Sequence, residues 1–153
     1  MKVAIVGSRT LDLAAVSVPL LNELTRLPQE SMVLIRSPRN EPRGDFEELL
    51  VRLCKALDID YDFYLPATGS GRAGVFERDI HMVEHADVVI AYFDPKHIMS
   101  GGTGHVVEKA IDAEKPVYAY EVDMTGQRWV GGIEPPEDDA RIAEWHSLSP
   151  TRR

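Results

Sequence analysis

The sequence predicts an α/β protein, a three-layer sandwich on a parallel sheet of about five strands. Three observations carry that expectation. Short apolar runs alternate with amphipathic stretches along the chain, the order that produces right-handed strand–helix–strand crossovers. Val88 to Phe93 is almost wholly apolar, as suits a central strand covered on both faces. Ser100 to Gly104 is then a turn of small residues, followed by a helix from about His105 to Ala113. In an open α/β sheet, ligands sit beyond the carboxyl ends of strands, where helix starts attract anions. A ligand crevice is therefore expected where this fourth strand ends.

A chain of 153 residues suffices for one domain with a hydrophobic core. With 44% hydrophobic and 27% charged residues, the composition is that of an ordinary globular protein rather than a disordered one. The net charge of -8 weighs against nonspecific binding to nucleic acid or an acidic membrane. The single cysteine, Cys54, stands among Leu50, Leu53 and Leu57 and reads as a buried small hydrophobe. No apolar stretch reaches transmembrane length, and the chain opens directly on a strand. Cytoplasmic placement is the resulting expectation.

In order, Lys2 to Val6 is the first strand and runs into Gly7, Ser8 and Arg9. Gly7 lets backbone approach a ligand closely, and Ser8 and Arg9 can donate to a phosphate or carboxylate. The same residues also read as a simple turn with an exposed arginine. Leu11 to Leu27 is helical, with Leu20, Leu21, Leu24 and Leu27 as its apolar stripe and Pro19 able to open the helical part. Met32 to Ile35 is the second strand. The loop from Arg36 to Gly44 carries Arg36, Arg39 and Arg43, either an anion-binding rim or a solvated turn. Asp45 is placed to cap the next helix, with Glu48 as its reciprocal partner. Tyr61 to Leu65 is strand three, and Pro66 to Gly74 a glycine-rich loop. Val75 to His85 is the next helix, with Arg78 near enough its start to reach the crevice. His81 and His85 have metal-ligand spacing, but no third ligand is specified. The other reading is two exposed histidines, and no metal is predicted. Val117 to Tyr120 is strand five, Thr125 to Gly132 a loop containing Trp129, and Asp139 to Ser147 a short terminal helix. Residues 123–153 thus form an extension packing on the domain or on a partner subunit.

The crossover after strand four holds the densest set of candidate site residues. Gly101, Gly102 and Gly104 remove side chains where a ligand can press against backbone, and the N–H groups from Thr103 to Val106 favour an anion. His105 and Glu108 share one side of the helix. A carboxylate one turn into that helix can accept from sugar hydroxyls, or act on a glycosidic carbon as nucleophile or electrostatic stabiliser. It also reads as a solvated surface group. Asp94, just past the strand, is a candidate for binding a hydroxyl or a base edge.

This layout resembles the Rossmann-like nucleotide-binding superfamily of lonely-guy-type phosphoribohydrolases, DNA-processing protein A and YpsA-like proteins. The phosphoribohydrolase signature is a glycine pair, one residue, Gly-Thr, two residues and Glu. Gly101 to Glu108 is similar to it, with Gly102-Thr103 standing further from Glu108. The YpsA-like branch is closest. Its Gly-Ser-Arg strand end resembles Gly7-Ser8-Arg9, and its Ala-Gly step into an Arg-Asn pair resembles Ala73-Gly74 and Arg78-Asp79. Its Ala-Asp strand with an acidic end resembles Ala86-Asp87 to Asp94, and its Gly-Thr-x-His turn resembles Gly102 to His105. The resemblance covers about Met1 to Val122. Two departures stand out: Arg36-Ser37-Pro38-Arg39-Asn40 replaces a second glycine-rich turn, and Asp79 replaces Asn.

The resemblance implies a nucleotide-like ligand, a homodimer, and hydrolase chemistry at an N-glycosidic bond. Glu108 and Arg78 would be the catalytic residues, with Glu108 stabilising oxocarbenium character at C1′, and Arg9, Arg78 or Arg39 would hold phosphate together with the helix start at Thr103 to His105. A non-catalytic sensor or sequestering protein would use the same pocket without turnover. The absence of GxGxxG argues against a nicotinamide or flavin oxidoreductase, and no cofactor is predicted. The net charge and the lack of a basic stripe make nucleic acid an unlikely partner.

Overall fold

The computed structural model describes residues 1–38, 42, 44–67, 69 and 71–133. The terminal helix predicted over 139–147, and Arg39 and Arg43 of the predicted rim, lie outside the described residues. The element order is β1 (Lys2–Gly7), α1 (Leu13–Thr25), β2 (Met32–Arg36), α2 (Asp45–Ala56), β3 (Asp60–Tyr64), α3 (Gly71–His85), β4 (Val88–Phe93), α4 (Gly101–Asp112), β5 (Val117–Asp123) and β6 (Gly126–Ile133).

One sheet runs in the order β3-β2-β1-β4-β5-β6. The first five strands are parallel and β6 is antiparallel to β5. In β1 and β4 apolar residues occupy successive positions because both faces are covered. Val3, Ile5, Val88, Ile90 and Tyr92 pack under α1 and α2. Ala4, Val6, Val89, Ala91 and Phe93 pack under α3 and α4. The fold is thus the expected Rossmann-like three-layer sandwich. From β1 the chain winds outward to β2 and β3, and from β4 it winds the opposite way to β5. The β1–β4 boundary is therefore the topological switch point, and in open α/β sheets ligands bind beyond the carboxyl ends of the strands at such a point.

The structure differs from the sequence reading at several elements; α3 starts at Gly71 rather than Val75, so the end of the expected glycine-rich loop is helical. Thr125 to Gly132, read as a loop, is mostly the sixth strand. Its hairpin turns at Met124 and Thr125, where the Asp123 carboxylate accepts from the Thr125 N–H and hydroxyl. Trp129 lies against Tyr118 and Tyr120, and Arg128 reaches Glu121 and Asp123, so cross-strand pairs replace the apolar run that would have marked a strand. Helix α1 passes through Pro19, capped by Asp12, which accepts from the Ala14 N–H at 3.0 Å. Helix α2 has no Asp45–Glu48 box: Gly44 is the cap, and Asp45, Glu47 and Glu48 lie in the first turn, where the helix dipole favours negative charge. Helix α4 begins at Gly101, so the glycine-rich segment is its first turn.

Candidate functional site

Strand β1 delivers Gly7, Ser8 and Arg9 to the switch point. Gly7 faces α2, and a Cβ there would lie 2.6 Å from the Phe46 ring. Its lack of a side chain therefore makes room for the core. The Ser8 N–H continues the ladder to the Tyr92 carbonyl at 2.9 Å. Its hydroxyl is buried and has no hydrogen-bond partner among the described residues. Strand alternation after Ala4 and Val6 turns Ser8 toward α3 and α4. Arg9 and Thr10 are exposed.

Asp94 links the loops that follow β1 and β4. Its Oδ2 accepts from the Thr10 hydroxyl at 2.9 Å and its Oδ1 from the Lys96 N–H at 3.0 Å, with His97 Nδ1 at 3.3 Å from Oδ2. The Lys96 N–H first, and then the Thr10 hydroxyl, hold this carboxyl below the usual carboxylate range.

At the start of α4, Gly101 has open space where a side chain would project and takes φ +67°, a conformation that suits glycine. A Cβ on Gly104 would run into the Met99 carbonyl, so this glycine lets the incoming loop fold under the helix. Ser100 occupies the cap position but makes no capping bond. Its hydroxyl donates instead to the His97 carbonyl at 3.1 Å. The first N–H groups of α4 are thus left without the side-chain acceptor that usually satisfies such donors.

Arg36, the last residue of β2, reaches this turn. Its Nη2 donates to the Gly7 carbonyl at 3.1 Å and to the Thr103 hydroxyl at 2.5 Å. Its Nη1 sits 3.1 Å from where a Cβ on Gly102 would lie. Burial lowers Arg36 from the ordinary guanidinium value. Asp79 and Glu47 oppose that effect, while Arg78 and Arg9 add to it. The sequence reading placed Arg36 in the rim loop and looked to Arg39 and Arg43 for phosphate. The usable signal was its position as the last residue of a strand next to β1.

Between α3 and α4 lies a second cluster. Arg78 is buried and binds Asp79 Oδ1 through Nε at 3.2 Å and Nη2 at 2.9 Å. Asp79 Oδ2 stands 3.2 Å from His105 Nδ1, and the His105 ring lies over Phe76 with centroids 4.4 Å apart. Asp79, the departure from the Arg-Asn pair, is thus the counter-charge that allows Arg78 to be buried. Glu108 is exposed and makes no hydrogen bond or ion pair among the described residues.

The fold therefore brings Ser8, Arg36, Gly102 and Thr103 together on the α3/α4 side, with Arg78, Asp79 and His105 between those helices. Thr10, Asp94 and His97 form a separate link between the loops. His81 is exposed, and His85 Nδ1 pairs with the Tyr64 hydroxyl at 2.8 Å. No group of three His, Cys, Asp or Glu side chains converges as a metal set among the described residues. A helix start, buried donors and guanidinium groups together form an arrangement that can hold an oxyanion. No family model matches this chain, and no curated protein or solved structure matches it.

Proposed function

We propose that the chain binds a nucleotide or nucleotide derivative at the carboxyl edge of the sheet, with its phosphate at the first turn of α4. The observation that carries this reading is the uncapped start of α4 at the switch point, with the buried, partnerless Ser8 hydroxyl on the same side of the sheet. The Ser8 hydroxyl is a buried donor in want of an acceptor, which is costly, and the N–H groups of the exposed Gly101 and Gly102 are open to an incoming anion. Arg9 and Arg36 supply positive charge there, while Arg78 is balanced by Asp79. The test is calorimetric titration with a panel of nucleoside monophosphates and dinucleotides. Saturable binding that weakens on Ser8→Ala and Thr103→Val is expected. A flat titration across the whole panel would remove the reading.

N-glycosidic hydrolysis or transfer assisted by Glu108 is the enzymatic form of this proposal. The exposure of Glu108 favours the other form, a sensor that binds without turnover. Release of free base or ribose phosphate, abolished by Glu108→Gln, would identify the enzyme. Binding with no product would identify the sensor. The homodimer belongs to the same reading and is checked by sedimentation.

A further inference from the structure

We infer that Arg36, seated by Gly102, is the anion-selecting residue of this site, and that it recognises the oxyanion of a phosphate monoester. The inference deepens the proposed function and rests on it for the identity of the rest of the ligand.

Arg36 is partly buried, yet both of its hydrogen bonds go to neutral oxygens, the Gly7 carbonyl and the Thr103 hydroxyl. It forms no ion pair among the described residues. A guanidinium placed this way is desolvated with no carboxylate bonded to it, only the more distant attraction of Asp79 and Glu47, and an anion in direct contact would offset that cost. The neighbouring carboxylates do not complete it. Asp79 is engaged by Arg78 and His105. Glu47 attracts Arg36 without coming within ion-pair distance. Arg78 and Arg9 add charge of the same sign.

A purely structural clasp between the ends of β1 and α4 needs only a neutral donor. The arginine brings a planar fork with five N–H groups suited to a tetrahedral oxyanion. Only one of its nitrogens is accounted for by the two bonds to protein. The partnerless Ser8 hydroxyl, 7% exposed and facing the same helices, is an independent sign that an acceptor belongs there. The open space at Gly101 leaves that acceptor room beside the helix start. Gly102 acquires a specific purpose in this arrangement. A methyl group at that position would lie 3.1 Å from Nη1, so the guanidinium would have to shift by a few tenths of an ångström.

The experiment compares adenosine 5′-monophosphate, adenosine and inorganic phosphate on the full chain, by calorimetry and by thermal shift. Wild-type protein should favour the monophosphate over the nucleoside, by about 10–100-fold, the worth of a charge-assisted hydrogen-bond set. Arg36→Met should remove that preference. Arg36→Lys should restore part of it. Gly102→Ala should weaken phosphate binding although Arg36 is still present, which a simple loss of charge could not do. Because Arg36→Lys and Gly102→Ala keep a cation in place, they carry the test if Arg36→Met fails to fold. An unchanged monophosphate preference in any folded Arg36 variant overturns the inference. If adenosine and its monophosphate fail to bind but inorganic phosphate stabilises the wild type and not Arg36→Met, the nucleotide reading falls while Arg36 keeps its role. If phosphate gives no Arg36-dependent stabilisation either, both fall.

Discussion

Gly104 shows how a residue can look like part of a ligand site and serve the fold. Its missing side chain makes room for the carbonyl of Met99, whose own φ of 57° is in the left-handed region. The loop from Asp94 to Ser100 can therefore tuck beneath the first turn of α4 and close it through the Gly104 N–H to Ser100 carbonyl bond of 3.1 Å. Gly7 behaves similarly toward Phe46, and Gly102 toward Arg36. Gly104→Ala is expected to cost about 1–3 kcal/mol, the range for overpacking a filled site. Urea denaturation with an unchanged slope would read that loss directly. An unaltered midpoint would mean that the loop yields freely and that the close approach is unimportant.

At the scale of elements, α1 and β6 are where local preference and tertiary packing disagree. Pro19 removes one N–H donor from the interior of α1 and crowds the preceding turn. The helix persists because Ala15, Val16, Leu20 and Leu24 are buried against the sheet, and packing outweighs propensity. Pro19→Ala restores a backbone bond, offset in part by a more flexible unfolded chain. A net gain of about 1–2 kcal/mol is expected, visible as a higher Tm. A loss would show that the proline ring itself fills a needed space. In β6, Gly132 adopts φ 148°, and a side chain there would collide with the Val117 carbonyl and the Trp129 ring. The strand is thus held by hairpin geometry and cross-strand contacts rather than by alternating hydrophobicity.

For the molecule as a whole, the net charge of -8 hides a local inversion, since Arg9, Arg36 and Arg78 gather at one edge of the sheet. Glu47 sits close enough to be attracted by all three, yet burial still pushes its carboxyl above its ordinary value of 4.5. A folded-state pKa raised in this way means that the native state binds the proton more tightly than the unfolded chain does. Its contribution to stability is present below 4.5 and is lost as pH rises through the higher folded-state value. Glu47→Gln removes the charge that burial penalises. The variant should match wild type in acid and exceed it near neutrality, by less than about 1.4 kcal/mol for each pKa unit of the shift. Denaturation midpoints collected across that pH range test this. A variant less stable than wild type near neutrality would show that attraction to the arginines outweighs burial.

The sequence by itself determined the layered α/β architecture. An uninterrupted apolar strand such as Val88 to Phe93 is stable only when covered on both faces, and that requirement is written in composition and order. It also brought Gly7-Ser8 and the Ser100–His105 segment to one corner of the fold, because both follow strands that meet at the switch point. Tertiary structure alone decided which side chains share that corner. Arg36 lies 67 residues from Thr103 and becomes its partner only when β2, β1 and β4 assemble side by side. Asp79 becomes the counter-ion of Arg78 and the acceptor for His105 only when α3 and α4 pack together. Periodicity records whether a residue faces inward, but the identity of the neighbour it meets there depends on strand order and helix packing, which no local pattern encodes.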